Sequence, residues 1–346
     1  MKKRALVICP GRGTYNKTEL GYLARWHSDK PALMTEIDQY RKECQQVSIS
    51  ELDAMASYSM SKHTRGDNAS ALVYACAYSD FLSINRDAYE LVAVTGNSLG
   101  WYITLGCANA LSPADALKVI NTMGTLMHQH LKGGQIVYPL LDDKWCEIKG
   151  RQGLLDDVLE AVNQQNGCEL YISIRLGGFI VFAGNDEGLK ALTKILPVLD
   201  ERYPMRLFNH SAFHSPLLQE VSKIGSDQLS SELFNQAQLP MIDGRGHIWY
   251  PHSTDTDSLW DYTLGEQVVD TYDFTKAIQV AVKEFAPDKL IVLGPGTTLG
   301  GAVAQSLIEI NWQGLSCKQD FIDRQQSDDP LVVAMGMSEQ RGLAID

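Results

Sequence analysis

Between Leu91 and Tyr102 the chain reads Leu-Val-Ala-Val-Thr-Gly-Asn-Ser-Leu-Gly-Trp-Tyr. The first four residues are apolar and partly β-branched, the pattern of a short buried strand. Gly96-Asn97-Ser98-Leu99-Gly100 then fits G-x-S-x-G, and Trp101 to Ala110 continues as an apolar helix. Strand, tight turn and helix form the setting in which this motif carries a nucleophile. So sharp a turn would drive Cβ atoms on either side of the serine into collision, which glycine avoids. It also lifts Ser98 Oγ clear of the backbone at the positive end of the following helix. The bland alternative is a Gly-rich turn with an ordinary N-cap serine.

The rest of the composition narrows the chemistry. With 346 residues, 45% of them hydrophobic and 21% charged, the chain has the make-up of a globular protein of one large domain with an insertion, or of two domains. No apolar run approaches the roughly 20 residues a membrane helix needs, so no membrane partner is expected. The early apolar run ends at Cys9 before Pro10-Gly11, which reads as a first strand and not as a secretory segment. Seven widely spaced cysteines without C-x-x-C argue against a disulfide scaffold and a zinc cluster, and for a reducing cytoplasm. A net charge of −12 disfavours nucleic acid as a partner.

Along the chain, residues 4–9 read as a strand, 10–14 as a tight loop and 20–26 as a helix. Residues 50–65 read as a polar surface connection. Residues 68–82 read as a helix capped by Asn68, and 113–130 as a helix with Ser112 as N-cap and Pro113 in its first position. From 132 to 205 the pattern changes to strand (135–140), helix (153–164), two strands (170–174, 178–183) and helix (186–199), a small ferredoxin-like α+β insert. The main body resumes with a loop-rich stretch (234–262), a helix (272–285), a buried strand (290–293) and a helix (299–308). The tail beyond Asp320 is polar and carries no assignment.

Several further stretches, read with the serine turn, resemble the acyltransferase family of fatty-acid and polyketide synthesis typified by malonyl-CoA:acyl-carrier-protein transacylase. Pro10-Gly11-Arg12-Gly13 resembles its P-G-Q-G loop, and Gly96 to Tyr102 its G-H-S-L-G-E-Y. Ala183-Gly184-Asn185 resembles its A-G-N turn, and Ser211 to Pro216 its G-A-F-H-S-P. Gln267 lies seven residues before Phe274-Thr275-Lys276, like the glutamine before W-T-K, and Gly294-Pro295-Gly296 matches a late G-P-G. The resemblance implies an α/β fold: an α/β-hydrolase-like core with a parallel sheet (1–131 and 206–346), plus a ferredoxin-like subdomain (132–205) forming one wall of the cleft. It implies Ser98 as nucleophile, His214 as general base and Gln267 as the residue whose main-chain carbonyl, alone, orients it. Backbone N–H groups of Arg12 and Leu99 would form the oxyanion hole. Acyl-CoA and an acyl carrier protein would be the substrates, with no cofactor or metal, and the protein a monomer in the cytoplasm. Lys149, Arg151, Lys190 and Lys194 on the insert are candidates for meeting an acidic carrier.

Four positions depart from the family pattern. Met123, 25 residues past Ser98, stands where most members carry an arginine for the malonyl carboxylate. Asn97 replaces the histidine before the nucleophile, Trp101 the acidic residue after the motif, and Arg12 the loop glutamine. Met123, Asn97, Trp101 and Phe213 are therefore the expected substrate-binding positions. A carboxylate buried without its partner costs several kcal/mol, so the acyl group is either neutral or is met by Arg12 from another direction; in its bland reading Arg12 is an exposed loop residue. Transfer from CoA to a carrier, hydrolysis of acylated carriers, and a non-catalytic carrier-binding role all remain open. A generic esterase would want an acidic triad member, for which the sequence offers no candidate. His210 with His214, and His128 with His130, lack the acidic third ligand of a metal site. Gly294-Pro295-Gly296 is a poor dinucleotide loop because of its proline.

Overall fold

The apolar runs of the sequence pair into two sheets in the computed structural model, which describes residues 2–346. The larger has six strands in the order Val332–Ala334, Lys289–Val292, Lys3–Cys9, Tyr89–Gly96, Met241–Ile242, Ile248–Trp249. All neighbours are parallel except the last pair. Two of its interior strands, Lys3–Cys9 and Lys289–Val292, are buried, the first from Ala5 to Cys9 and the second throughout, as expected for a parallel sheet covered on both faces. Helix Gly66–Ser83 is buried over almost its whole length, so its Ala-rich sequence has no polar face to show.

The second sheet has the order Met205–Arg206, Gly134–Pro139, Phe179–Gly184, Leu170–Leu176, Tyr272–Asp273. Its first four strands are antiparallel and, with helices Arg151–Asn163 and Asp186–Ile195, follow the βαββαβ order of a ferredoxin-like unit. Tyr272–Asp273, from the main body, joins the sheet as a parallel edge strand. The two helices pack on one face through Ile136, Ile180 and Phe182. The opposite face, with Ile174 and Val181, belongs to the main core. The molecule is thus α/β with a parallel sheet and a smaller α+β layer.

One reading of the sequence needs correction, and two stretches carry more structure than their polar sequences suggest. Residues 50–65 are mostly exposed, as a surface connection would be, but they carry part of helix Ile49–Asp53 and the helix Met60–His63, and bury Leu52, Asp53 and His63. Asp53 accepts from Tyr15 Oη at 2.6 Å and from the Leu23 and Ala24 N–H groups. Polar groups satisfied in this way leave no apolar period to read. Asn68 does not cap its helix, which starts at Gly66 after Arg65. It is spent on buried Arg41, whose Nη2 donates to Asn68 Oδ1 at 2.7 Å. The tail forms helix Lys318–Gln325, edge strand Val332–Ala334 and helix Ser338–Ile345. Arg341 of that last helix is buried against Asp80 at 2.6 Å. Asp80 Oδ2 also accepts from Tyr22 Oη and from the Gly294 N–H, so Gly294-Pro295-Gly296 is a structural turn that ties the tail to the core.

Candidate active site

Ser98 stands between strand Tyr89–Gly96 and helix Leu99–Cys107 with φ 56° and ψ −110°. A side chain rarely occupies this region, and such strain concentrates at functional sites. Two glycines permit it. A Cβ on Gly96 would lie 2.4 Å from the Gly100 backbone, and one on Gly100 would lie 2.4 Å from the Cys9 carbonyl oxygen. The sharp turn therefore packs directly on the end of the neighbouring strand, and Ser98 is left half-buried and reachable.

Ser98 Oγ lies 2.8 Å from His214 Nε2. His214 Nδ1 lies 2.6 Å from the main-chain oxygen of Gln267. A carbonyl only accepts, so Nδ1 carries the proton and Nε2 is the lone-pair nitrogen that faces the serine hydroxyl. Burial lowers His214 to about 4 in spite of the Gln267 carbonyl, which raises it; at neutral pH the ring is the free base. Three serines fix the loop that carries it: Ser173 Oγ donates to the Phe213 carbonyl, Ser215 Oγ to the Ala212 carbonyl and Ser211 Oγ to the Lys132 carbonyl. Gln267 is itself held by its side chain, whose Oε1 accepts from Tyr102 Oη at 2.8 Å and whose Nε2 donates to the Ser98 carbonyl at 3.3 Å. The expectation that only its main chain matters is therefore too narrow.

Leu99 opens its helix, and its N–H has no intrahelical acceptor. Neither it nor the Arg12 N–H is bonded to a backbone carbonyl. Both belong to residues on the wall of a cavity that also holds Ser98 and His214. That cavity encloses about 420 Å³ of space with its mouth included, and Ile120, Met123, Met127 and Val268 make its wall apolar. The Arg12 side chain is not an exposed loop residue. Its Nη2 donates to the Thr64 and Asn209 carbonyls at 2.8 and 3.1 Å, and its guanidinium lies over the Phe213 ring.

The structure brings Ser98, His214, Gln267, Arg12, Leu99, Met123 and Phe213 together around this one cavity. Two expected substrate-binding residues do not line it. Trp101 is fully buried, donates from Nε1 to Thr263 Oγ1 at 3.0 Å and meets Tyr262 edge-on; three positions past the serine, the helix has turned it into the core. Asn97 is buried against the loop that carries Arg12, where a Cβ on Gly11 would lie 3.0 Å from its Nδ2. Lys190 and Lys194 are exposed on a helix that covers the face of the small sheet turned away from the main core, and Arg151 is occupied over the Tyr138 ring. Sequence reading missed Tyr102 and Met127, which the helical steps from Ser98 and from Met123 would have signalled, and Ser70, for which no signal exists.

No family model matches the chain. It is 23% identical over 237 residues to the malonyl CoA-acyl carrier protein transacylase of Staphylococcus aureus (strain MRSA252), covering 67% of this chain and 72% of that protein. Its fold superposes on the crystal structure of an acyl-carrier-protein S-malonyltransferase from Burkholderia pseudomallei with a TM-score of 0.74 at 17% identity, covering 100% and 99% of the two chains. It is similarly close to a malonyl-transacylase solved in complex with a type II polyketide acyl-carrier protein, with a TM-score of 0.74 at 15% identity and 99% of each chain covered.

Proposed function

We propose that this chain, a member of the malonyl-CoA:acyl-carrier-protein transacylase family, moves an acyl group from CoA to the phosphopantetheine thiol of an acyl carrier protein through an ester on Ser98. The observation that carries this reading is the 2.8 Å contact of Ser98 Oγ with a histidine whose other nitrogen is tied to a main-chain carbonyl. In the first half-reaction Ser98 Oγ attacks the thioester carbonyl as its proton passes to His214 Nε2. The oxyanion is held by the Leu99 and Arg12 N–H groups, each such donor worth about 3–4 kcal/mol in the transition state. The C–S bond breaks, and His214 returns the proton to the departing CoA sulfur. In the second half the carrier thiol gives its proton to His214 and attacks the Ser98 ester, and the serine leaves with the proton.

A neutral histidine suits both halves, because it must accept a proton at neutral pH and give it back within one turnover. A main-chain carbonyl orients the ring without placing a full negative charge beside it. The apolar wall of Ile120, Met123 and Met127 takes a short acyl chain. The ferredoxin-like unit of 132–205 puts no residue on the wall of this cavity, against the expectation from the sequence; it braces the loop that carries His214 through Ser173, whose hydroxyl donates to the Phe213 carbonyl. We place the reaction in the cytoplasm, where the seven cysteines, all free, stay reduced; no helix among the described residues is long and apolar enough to cross a membrane.

The test follows the acyl group. Acylated enzyme is mixed with a phosphopantetheinylated carrier or with buffer, and both proteins are weighed by intact-mass spectrometry. Transfer predicts loss of the adduct from the enzyme and its gain by the carrier, with a far slower loss in buffer. Equal loss in buffer would identify a hydrolase.

A further inference from the structure

Arg12 contributes the one charged side chain on the cavity wall among the described residues. It has no ion-pair partner: the nearest carboxylate acting on it, Asp67, is bonded to Arg65. Nη2 spends its hydrogens on the Thr64 and Asn209 carbonyls, and Asn209 Nδ2 ties those two segments together by donating to Thr64 Oγ1. The ring of Phe213 supports the flat face of the guanidinium at 5.1 Å. The group is thus held in place by neutral partners only. Its Nε is buried without any acceptor. Buried donors are nearly always satisfied, and a buried charge without a counter-charge is costlier still.

We infer that Arg12 is the specificity-determining residue of this cavity, and that its guanidinium binds the terminal carboxylate of an acyl thioester that carries one. The inference rests on the acyl-transfer reading for the cavity's role. A carboxylate supplies the negative charge that the guanidinium lacks, and charge-assisted bonds of this kind are about twice as strong as neutral ones. Burial draws Arg12 down to about 10, so it stays protonated at neutral pH. Met123 offers no charge, and taken alone it would leave the cavity to neutral acyl groups. Arg12 reverses that preference from the loop that also supplies an oxyanion donor, so that one short segment contacts both ends of a three-carbon acyl group.

The alternative is an arginine that only anchors its loop. Binding to the full-length Ser98→Ala protein, which cannot be acylated, separates the two. Calorimetry compares malonyl-CoA with acetoacetyl-CoA, an uncharged near-isostere, in Ser98→Ala alone and combined with Arg12→Gln or Arg12→Lys. The expected result is a preference for malonyl-CoA that falls on the order of 30-fold or more with Arg12→Gln and is partly kept with Arg12→Lys. A preference unmoved by Arg12→Gln, or equal binding of both thioesters to Ser98→Ala, overturns the inference, since loop anchoring would weaken both alike. Absence of an acyl adduct on the wild-type protein would overturn the acyl-transfer reading instead, while the binding ratio still judges Arg12.

Discussion

The acylation step is expected to stay fast in mild acid, because His214 titrates near 4 and not near the ordinary histidine value of about 6.5. The cause is desolvation, which penalises the imidazolium, only partly offset by the Gln267 carbonyl. The sign is fixed: a group whose charged form is disfavoured stays neutral, and therefore basic towards Ser98, to lower pH. At pH 5 about nine-tenths of the enzyme would hold the free base, against about 3% for an unperturbed histidine. Acyl-enzyme formation from acetyl-CoA, an acyl donor without a second titrating carboxylate, is timed by rapid acid quench and intact-mass spectrometry at pH 7.5 and 5.0. The buried site predicts nearly equal values of kcat/KM, while a solvated histidine predicts a drop of about 30-fold. A fall with its midpoint between pH 6 and 7 would refute the assignment of the desolvated histidine as the base.

Gln267→Ala keeps the carbonyl that orients His214 but loses the two side-chain bonds to Tyr102 and Ser98, and should slow acylation by about tenfold, which corresponds to about 1.4 kcal/mol of lost positioning. His214→Ala should slow it by about 10²–10⁴-fold; equal effects of the two substitutions would reveal a direct chemical role for the glutamine side chain. Tyr102→Phe leaves Gln267 Oε1 buried without its donor and should cost about 1–3 kcal/mol in urea unfolding, with an unchanged midpoint as the contrary outcome. Arg341→Met removes the cation from buried Asp80 and should cost about 3–5 kcal/mol in the same assay; a loss below about 1 kcal/mol would show that the Asp80 carboxylate does not depend on Arg341.

The parts of the fold legible in the sequence are those with a strong local cause. The serine turn announces itself because only glycine survives beside it, and the ferredoxin-like unit because its strands and helices alternate with clear apolar faces. Ser112 is legible as a cap because its hydroxyl accepts locally from the Asp115 N–H. What escaped is held by distant polar bonds. Asn68 looks like a cap but serves Arg41, which lies 27 residues away in sequence. Asp53, His63 and Arg341 look like surface residues, yet each is buried by partners that no periodicity marks. At the site, the motifs around Ser98 and His214 are local enough to read, and the two side chains meet at 2.8 Å. The direction of a single side chain is not legible: Trp101, on the helix after the serine, points into the core and not towards the substrate, and Arg12, on its loop, lies on the cavity wall.

The most direct measurement is the site of the acyl adduct itself. The wild-type protein is incubated with malonyl-CoA and with acetyl-CoA, digested under mildly acidic conditions and mapped by tandem mass spectrometry, with Ser98→Ala and His214→Ala in parallel. The expected result is a single ester on Ser98, absent from Ser98→Ala and formed far more slowly by His214→Ala, with all three proteins equally folded by circular dichroism. A stoichiometric adduct that persists in Ser98→Ala, or one that maps to a cysteine, would contradict the central role given to Ser98.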